Sequence, residues 1–286
     1  MRRIIFISVI LFLLLGGSFF YQAEKFNDGK LHIIFCNVGQ GDGIFIRTQN
    51  GSDIIIDAGP DDSILSCLES HMPFWDRTIE VMILTHPHAD HMRGMIPILQ
   101  NYKVLNFVTE KLNNNTALYN ELIKFIANLK IKMKYFYAGD GFRATDDVAF
   151  KILGPSKEFL EASSPNGKIG ESKEFGSLIA HLSFGSFDIL FAGDSQIEGM
   201  KEALVGSNQV EIFQIPHHGS KYGTDSEILD ILNPQLAVIS VGKNNYGHPS
   251  PEVLKLLQNY NVKTLRTDRD GEVEIIVDKN GKFSVR

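Results

Sequence analysis

Cysteine is scarce in this chain, with only Cys36 and Cys67 among 286 residues. Their separation fits no metal-ligand or redox spacing, which excludes a cysteine-built zinc site and a multi-bridge framework. Cys36 lies inside the apolar run 31–38 and reads as a small core residue, so no bridge between the two is expected. Low-complexity tracts and fixed-period repeats are also absent, and the ten prolines and 25 glycines are scattered. Solenoids and disordered architectures are thereby excluded. Positive charge is not in excess either. A formal net charge of −6 argues against a protein that coats nucleic acid, though a nuclease needs only a local positive groove.

The composition that remains, 43% hydrophobic and 22% charged, is ordinary for a globular protein, with length for one large domain or two small ones. The first 22 residues stand apart. Arg2 and Arg3 precede an apolar run over residues 4–21. As a helix these 18 residues would rise about 27 Å, close to the roughly 30 Å hydrocarbon core of a bilayer. Two basic residues ahead of the run predict a cytoplasmic N-terminus and an exported remainder. A cleavage site after Ala23 would place Tyr21 where a small residue is preferred. Residues 1–22 are therefore expected to be a signal-anchor rather than a removed signal peptide, with residues 23–30 as a polar linker.

From Leu31 onward the pattern is strand-rich. Short apolar runs at 31–38, 43–47 and 53–57 are separated by turn residues, and Asn50-Gly51 marks a hairpin. Further strands are predicted at 81–85, 134–137, 148–153, 178–184, 187–191, 210–215 and 236–241, with a closing hairpin over 271–277 and 282–285. Helices are predicted at 117–129 behind Thr116, at 197–205, and at 252–260 with Ser250 as N-cap and Pro251 in the first position. Strands with intercalated helices indicate α/β layers, and no linker interrupts residues 31–286.

Four stretches carry chemistry. In Thr85-His86-Pro87-His88-Ala89-Asp90-His91, three imidazoles and a carboxylate follow an apolar strand. Histidines at i and i+2 of an extended segment point the same way, so His86 and His88 can share one metal, while Asp90 and His91 reach a second. Imidazole and carboxylate donors suit zinc, manganese or iron. Asp194 ends the strand 187–191 through Ala192-Gly193, where it reads either as a metal-bridging carboxylate or as the cap of the next helix. His217 and His218, in Ile215-Pro216-His217-His218-Gly219-Ser220-Lys221, allow one imidazole to face a metal and the other substrate. Ser220, Lys221 and Thr224 are donors suited to an anionic oxygen such as phosphate. His248, before the 252–260 helix, could bind substrate or donate a proton. Asp57 is expected to orient the histidine loop. His32, His71 and His181 have no evident partners and are not expected to be ligands.

At these residues the chain resembles the metallo-β-lactamase fold hydrolases, and within them the soluble domain of the competence DNA-uptake channel ComEC. The likeness runs from about residue 31 to the end. It is carried by the 86–91 run, by Asp57 and Asp194, and by Pro216-His217-His218-Gly219. Within the ComEC-like branch it rests on Asn37-Val38-Gly39-Gln40-Gly41-Asp42, Gly247-His248-Pro249-Ser250 and Arg266-Thr267-Asp268-Arg269-Asp270-Gly271. The resemblance implies a four-layer αββα sandwich behind the N-terminal apolar helix and two divalent ions, zinc or manganese. His86 and His88 would hold one ion and Asp90 and His91 the other, with Asp194 bridging and His217 completing the second site; His218 would face substrate or support the ligands from behind. Departures are the lack of a histidine before Ser177, where Glu174 or water would have to serve, and Asn37 in place of an aspartate. The many membrane helices of the uptake channel are missing.

By that resemblance the chain is expected to be a hydrolase in which a metal-bound hydroxide, oriented by Asp90, attacks a phosphodiester such as DNA. The alternatives are an acyl hydrolase acting on a lactone, thioester or lactam, and a surface-tethered binding protein without activity. The expected location is extracytoplasmic, on the membrane through the N-terminal helix or secreted if cleaved. Nothing in the sequence points to a protein partner.

Overall fold

The computed structural model describes residues 2–145, 147–169 and 176–286; Glu174 lies outside them. A helix, α1, spans Arg2–Phe26. It runs through much of the segment expected as a linker, because Gln22-Ala23-Glu24-Lys25 offers good helix formers and no breaker. By length and composition, residues Ile5–Phe26 can cross a membrane.

Two sheets follow. The first has eight strands: β1 (Leu31–Phe35), β2 (Gly43–Arg47), β3 (Asp53–Ala58), β4 (Thr78–Ile83), β5 (Lys103–Thr109) and β6 (Lys132–Tyr135), with two later ones. The second has seven: β7 (Gly141–Arg143), β8 (Val148–Gly154), β9 (Ile179–Phe184), β10 (Phe187–Phe191), β11 (Ile212–Gln214), β12 (Leu236–Ile239) and β13 (Lys263–Arg266). The chain then returns to the first sheet with β14 (Val273–Val277), beside β1, and β15 (Phe283–Val285) at its edge. Strands β3 to β6 are mutually parallel, as are β10 to β13.

The sheets pack face to face over a core that includes Phe35, Ile44, Ile56, Phe150, Ile189 and Phe191. Helices Ser63–His71, Met95–Asn101 and Ala117–Asn128 cover the outer face of the first sheet. Helices Ile197–Ala203, Ser226–Leu232 and Pro251–Asn259 cover the second. The result is four layers, αββα. Strands β2 and β3 are buried on both faces, which explains why they read as continuous apolar runs. The predicted caps form: Thr116 Oγ1 accepts from Tyr119 N and Ser250 Oγ from Val253 N.

One expectation fails outright. Cys36 and Cys67 are joined in a disulfide, their Cα atoms 5.9 Å apart. Both cysteines are core residues, but Cys67 rides on the helix Ser63–His71, which lies across the end of β1. Thirty-one residues of sequence separation hide a proximity that helix-on-sheet packing creates.

Candidate metal centre

Sites in α/β folds form beyond the carboxyl ends of parallel strands, where each strand hands its chain to a loop. Here Asp57 stands one residue before the end of β3, β4 leads into Thr85 to His91, β10 into Asp194, β11 into His217 and His218, and β12 into Ser240. All meet at one edge of the sandwich.

Asp194 is the hub. Its Oδ1 lies 3.3 Å from His91 Nε2 and 3.6 Å from His218 Nε2. Its Oδ2 lies 3.8 Å from His86 Nε2 and 3.7 Å from His217 Nε2. Asp90 Oδ2 joins the first group, 3.4 Å from His218 Nε2, while His88 Nδ1 joins the second, 3.1 Å from His86 Nε2. Donor atoms of Asp90, His91, Asp194 and His218 all fall within 4.8 Å of one another. Asp194 does not cap the next helix, whose N-cap is Gln196.

The far nitrogens of the three buried imidazoles are held from behind. His91 Nδ1 pairs with Asp57 Oδ2 at 2.8 Å, His218 Nδ1 with the carbonyl of Ser240 at 3.0 Å, and His86 Nδ1 with Thr85 Oγ1 at 3.1 Å. Such outer partners fix the tautomer that leaves Nε2 as the donor to a metal. Asp57, fully buried, is itself fixed by Thr85, whose backbone N–H and hydroxyl donate to its two oxygens. Gly193 is required just before Asp194. Its φ is +48°, and a Cβ there would lie 2.3 Å from Ser177 Oγ, a region L side chains seldom occupy.

Electrostatics at the hub fit cations. Burial disfavours the imidazolium of His91, yet Asp194, Asp57 and Asp90 outweigh it and hold the ring well above the usual histidine range. His218 is likewise raised against burial, by Asp194, Asp42 and Asp90. Burial would raise Asp194, but His218, His91 and His217 hold its carboxyl well below the usual range. Burial leaves His86 well below, with His91 adding to the effect. Three facing atoms, His91 Nε2, His218 Nε2 and Asp194 Oδ1, are buried with no hydrogen-bond partner. Each such orphan costs about 1–3 kcal/mol, and three converging on one point are what a ligated cation would satisfy. The donor set fits divalent ions.

His88, Asp90, Asp194, His217, His218 and His248 line a cleft of about 440 Å³, together with Gln40, Gln196 and Tyr246. His248 is half-buried, and burial with the nearby His217 and His218 keeps its imidazole below the usual range. Ser220, Lys221 and Thr224 do not line this cleft. Ser220 Oγ accepts from the backbone N–H of Tyr222, Lys221 points outward over the Tyr222 ring, and Thr224 is buried. His217 and His218 divide differently from expectation. His218 joins Asp90 and His91, whereas His217 lies on the His86 side. Both adopt positive φ, 51° and 53°, and this turn sends adjacent rings to opposite oxygens of Asp194.

Asp42 is a buried residue to which the sequence assigns no role. It accepts from Gln214 Nε2 at 2.7 Å and stands 3.5 Å from His218 Nδ1; its place in Gly39-Gln40-Gly41-Asp42 was the available signal. His32, His71 and His181 do have partners, pairing with Glu274, Glu272 and Asp188, and none lines the cleft.

Residues 36–117 match the Metallo-beta-lactamase superfamily. ComE operon protein 3 of Bacillus subtilis is 29% identical over 281 residues, 91% of this chain and 34% of that protein. Competence protein ComA of Neisseria gonorrhoeae is 24% identical over 278 residues, 94% of this chain and 36% of that protein. The chain thus spans about a third of the length of these relatives. Among solved structures, the metallo-beta-lactamase fold protein YhfI from Bacillus subtilis is similar with a TM-score of 0.57 at 11% identity, over 90% of this chain and all of that one. Sandwich topology, a strand-end cluster of imidazoles and carboxylates, and these similarities agree: this chain has the metallo-β-lactamase fold and is similar, over most of its own length, to part of ComEC-type competence proteins.

Proposed function

We propose that the chain is an extracytoplasmic, membrane-anchored phosphodiesterase acting on DNA or another phosphodiester with two divalent ions, zinc or manganese. The two-sided setting of Asp194 carries this reading. One oxygen faces His91 and His218, with Asp90 beside them, and the other faces His86 and His217, with His88 beside them. Paired divalent ions in such a setting supply Lewis acidity at a phosphoryl oxygen and lower the pKa of water from 15.7 towards 7.

The protein's own groups do the rest. Asp90 lies in the cleft beside the hub, where its carboxylate orients the attacking water and accepts its proton. His248, on the cleft wall, stays neutral near pH 7 because its pKa is lowered, and its ring N–H is available to donate a hydrogen bond to a phosphate oxygen. Exposed Tyr246 beside it offers a ring on which a nucleobase can stack, a contact that tolerates any sequence. Competence relatives favour DNA over a lactam, lactone or thioester. The Cys36–Cys67 disulfide supports an oxidising, extracytoplasmic location, with α1 as the anchor.

The test uses the full chain in detergent, loaded with manganese or zinc, against bis-p-nitrophenyl phosphate, single-stranded DNA, and a panel of thioester, lactone and lactam substrates. Phosphodiester cleavage is expected, with loss in both Asp90→Ala and His91→Ala. Retention in both variants rejects the site, turnover confined to the acyl substrates rejects the phosphodiester, and a metal-free inactive protein points to a binding role.

A further inference from the structure

At the edge of the sandwich opposite the cleft, α1 meets the domain. α1 does not leave the domain freely. Its last turns are fixed to this edge: Lys25 Nζ donates to the Ser70 carbonyl, Arg47 Nε to the Phe26 carbonyl, and Phe74 N to Gln22 Oε1 at 2.9 Å. Lower on the helix, the Phe19 ring lies 4.4 Å from Trp75, which Phe74 contacts edge-on at 4.9 Å. Phe74 is nevertheless 56% exposed and Trp75 38%. Two large rings thus stand in the open, level with the helix residues that end the apolar run.

We propose that residues 73–75 form a foot that sits in the lipid headgroup–acyl boundary and holds the domain upright on the bilayer. The proposal rests on α1 being a membrane span. If residues 4–21 fill the hydrocarbon, Phe19 to Gln22 lie at its border, where tryptophan and other amphipathic rings concentrate. The polar groups lie higher. Lys25 is six residues beyond Phe19, about 9 Å along the helix, and Asp28, Lys30, His32 and His71 cluster around the same pocket. Rings at the boundary and charges in the headgroup layer form the order a bilayer surface selects. From Asp53 at this edge, β3 climbs about 13 Å to the level of Asp57 and the cleft. The cleft therefore opens away from the bilayer and takes its substrate from the aqueous side.

Trp75 is the chain's sole tryptophan, so its emission reports on the foot alone. The full chain is reconstituted into phosphatidylcholine–phosphatidylglycerol vesicles, and flotation establishes anchoring. Phosphatidylcholine brominated near the headgroup end of its acyl chains is expected to quench the emission at least twofold, with iodide quenching little. Phe74→Glu should restore most of the emission by expelling the loop, while turnover of a soluble phosphodiester stays unchanged. Failure to float overturns the reading of α1 as a span. Flotation with no bromolipid quenching overturns the foot. So does equal quenching in the wild type and Phe74→Glu, because a loop packed only against Phe19 would tolerate charge on an exposed ring.

Discussion

Asp57→Asn is the most informative change at the hub, because it keeps shape and removes one charge. Asp57 receives three hydrogen bonds: from Thr85 N at 2.8 Å to Oδ1, and from Thr85 Oγ1 at 2.6 Å and His91 Nδ1 at 2.8 Å to Oδ2. With the amide oxygen kept on Thr85 N, the new NH₂ group faces His91 Nδ1. That nitrogen must then accept, and the ring proton moves to Nε2, the atom aimed at Asp194. The metal-free protein tolerates this, but His91 is lost as a ligand. With the amide reversed, a buried donor meets the Thr85 N–H, at a cost of about 1–3 kcal/mol. Loss of such an outer partner lowers metal affinity by about 10–100-fold, or roughly 1.4–2.8 kcal/mol. Competition with a chromogenic chelator measures the affinity, and thermal unfolding without metal checks the fold. A folded variant whose affinity stays within about twofold refutes the orienting role of Asp57.

Two further outcomes test the frame around the site. Replacing both Cys36 and Cys67 by serine releases a loop spanning 31 residues and should lower unfolding free energy by about 3–4 kcal/mol in the chain-entropy picture; an unchanged urea midpoint contradicts the bridge. His32 sits between Glu274 Oε1 at 2.8 Å and Asp28 Oδ1 at 3.0 Å. Burial opposes its charge, but the two carboxylates win and raise its pKa above 6.5. A raised imidazole stabilises fully below 6.5 and loses that contribution as pH climbs through the raised value. His32→Gln should therefore cost more stability at pH 6 than at pH 9 in denaturant titrations, and equal costs at both would refute the pairing.

Local pattern made much of this protein legible. Three histidines and an aspartate within six residues, directly after an apolar strand, mark a candidate metal-binding loop by local pattern alone. Strand ends at Asp57 and Asp194, the Ser250-Pro251 helix start and the apolar run after Arg2 and Arg3 are local in the same sense, since turn chemistry, capping and side-chain periodicity act over a few residues. Only the tertiary structure decided what depends on convergence. Adjacent His217 and His218 look equivalent until a positive-φ turn directs them to different oxygens of Asp194. Cys36 and Cys67 look unrelated until a helix lies over the end of β1. Asp42 looks like a loop residue until burial sets it beside His218. Such pairings are set by how sheets stack and helices cover them, and a linear sequence carries no short-range signal for that.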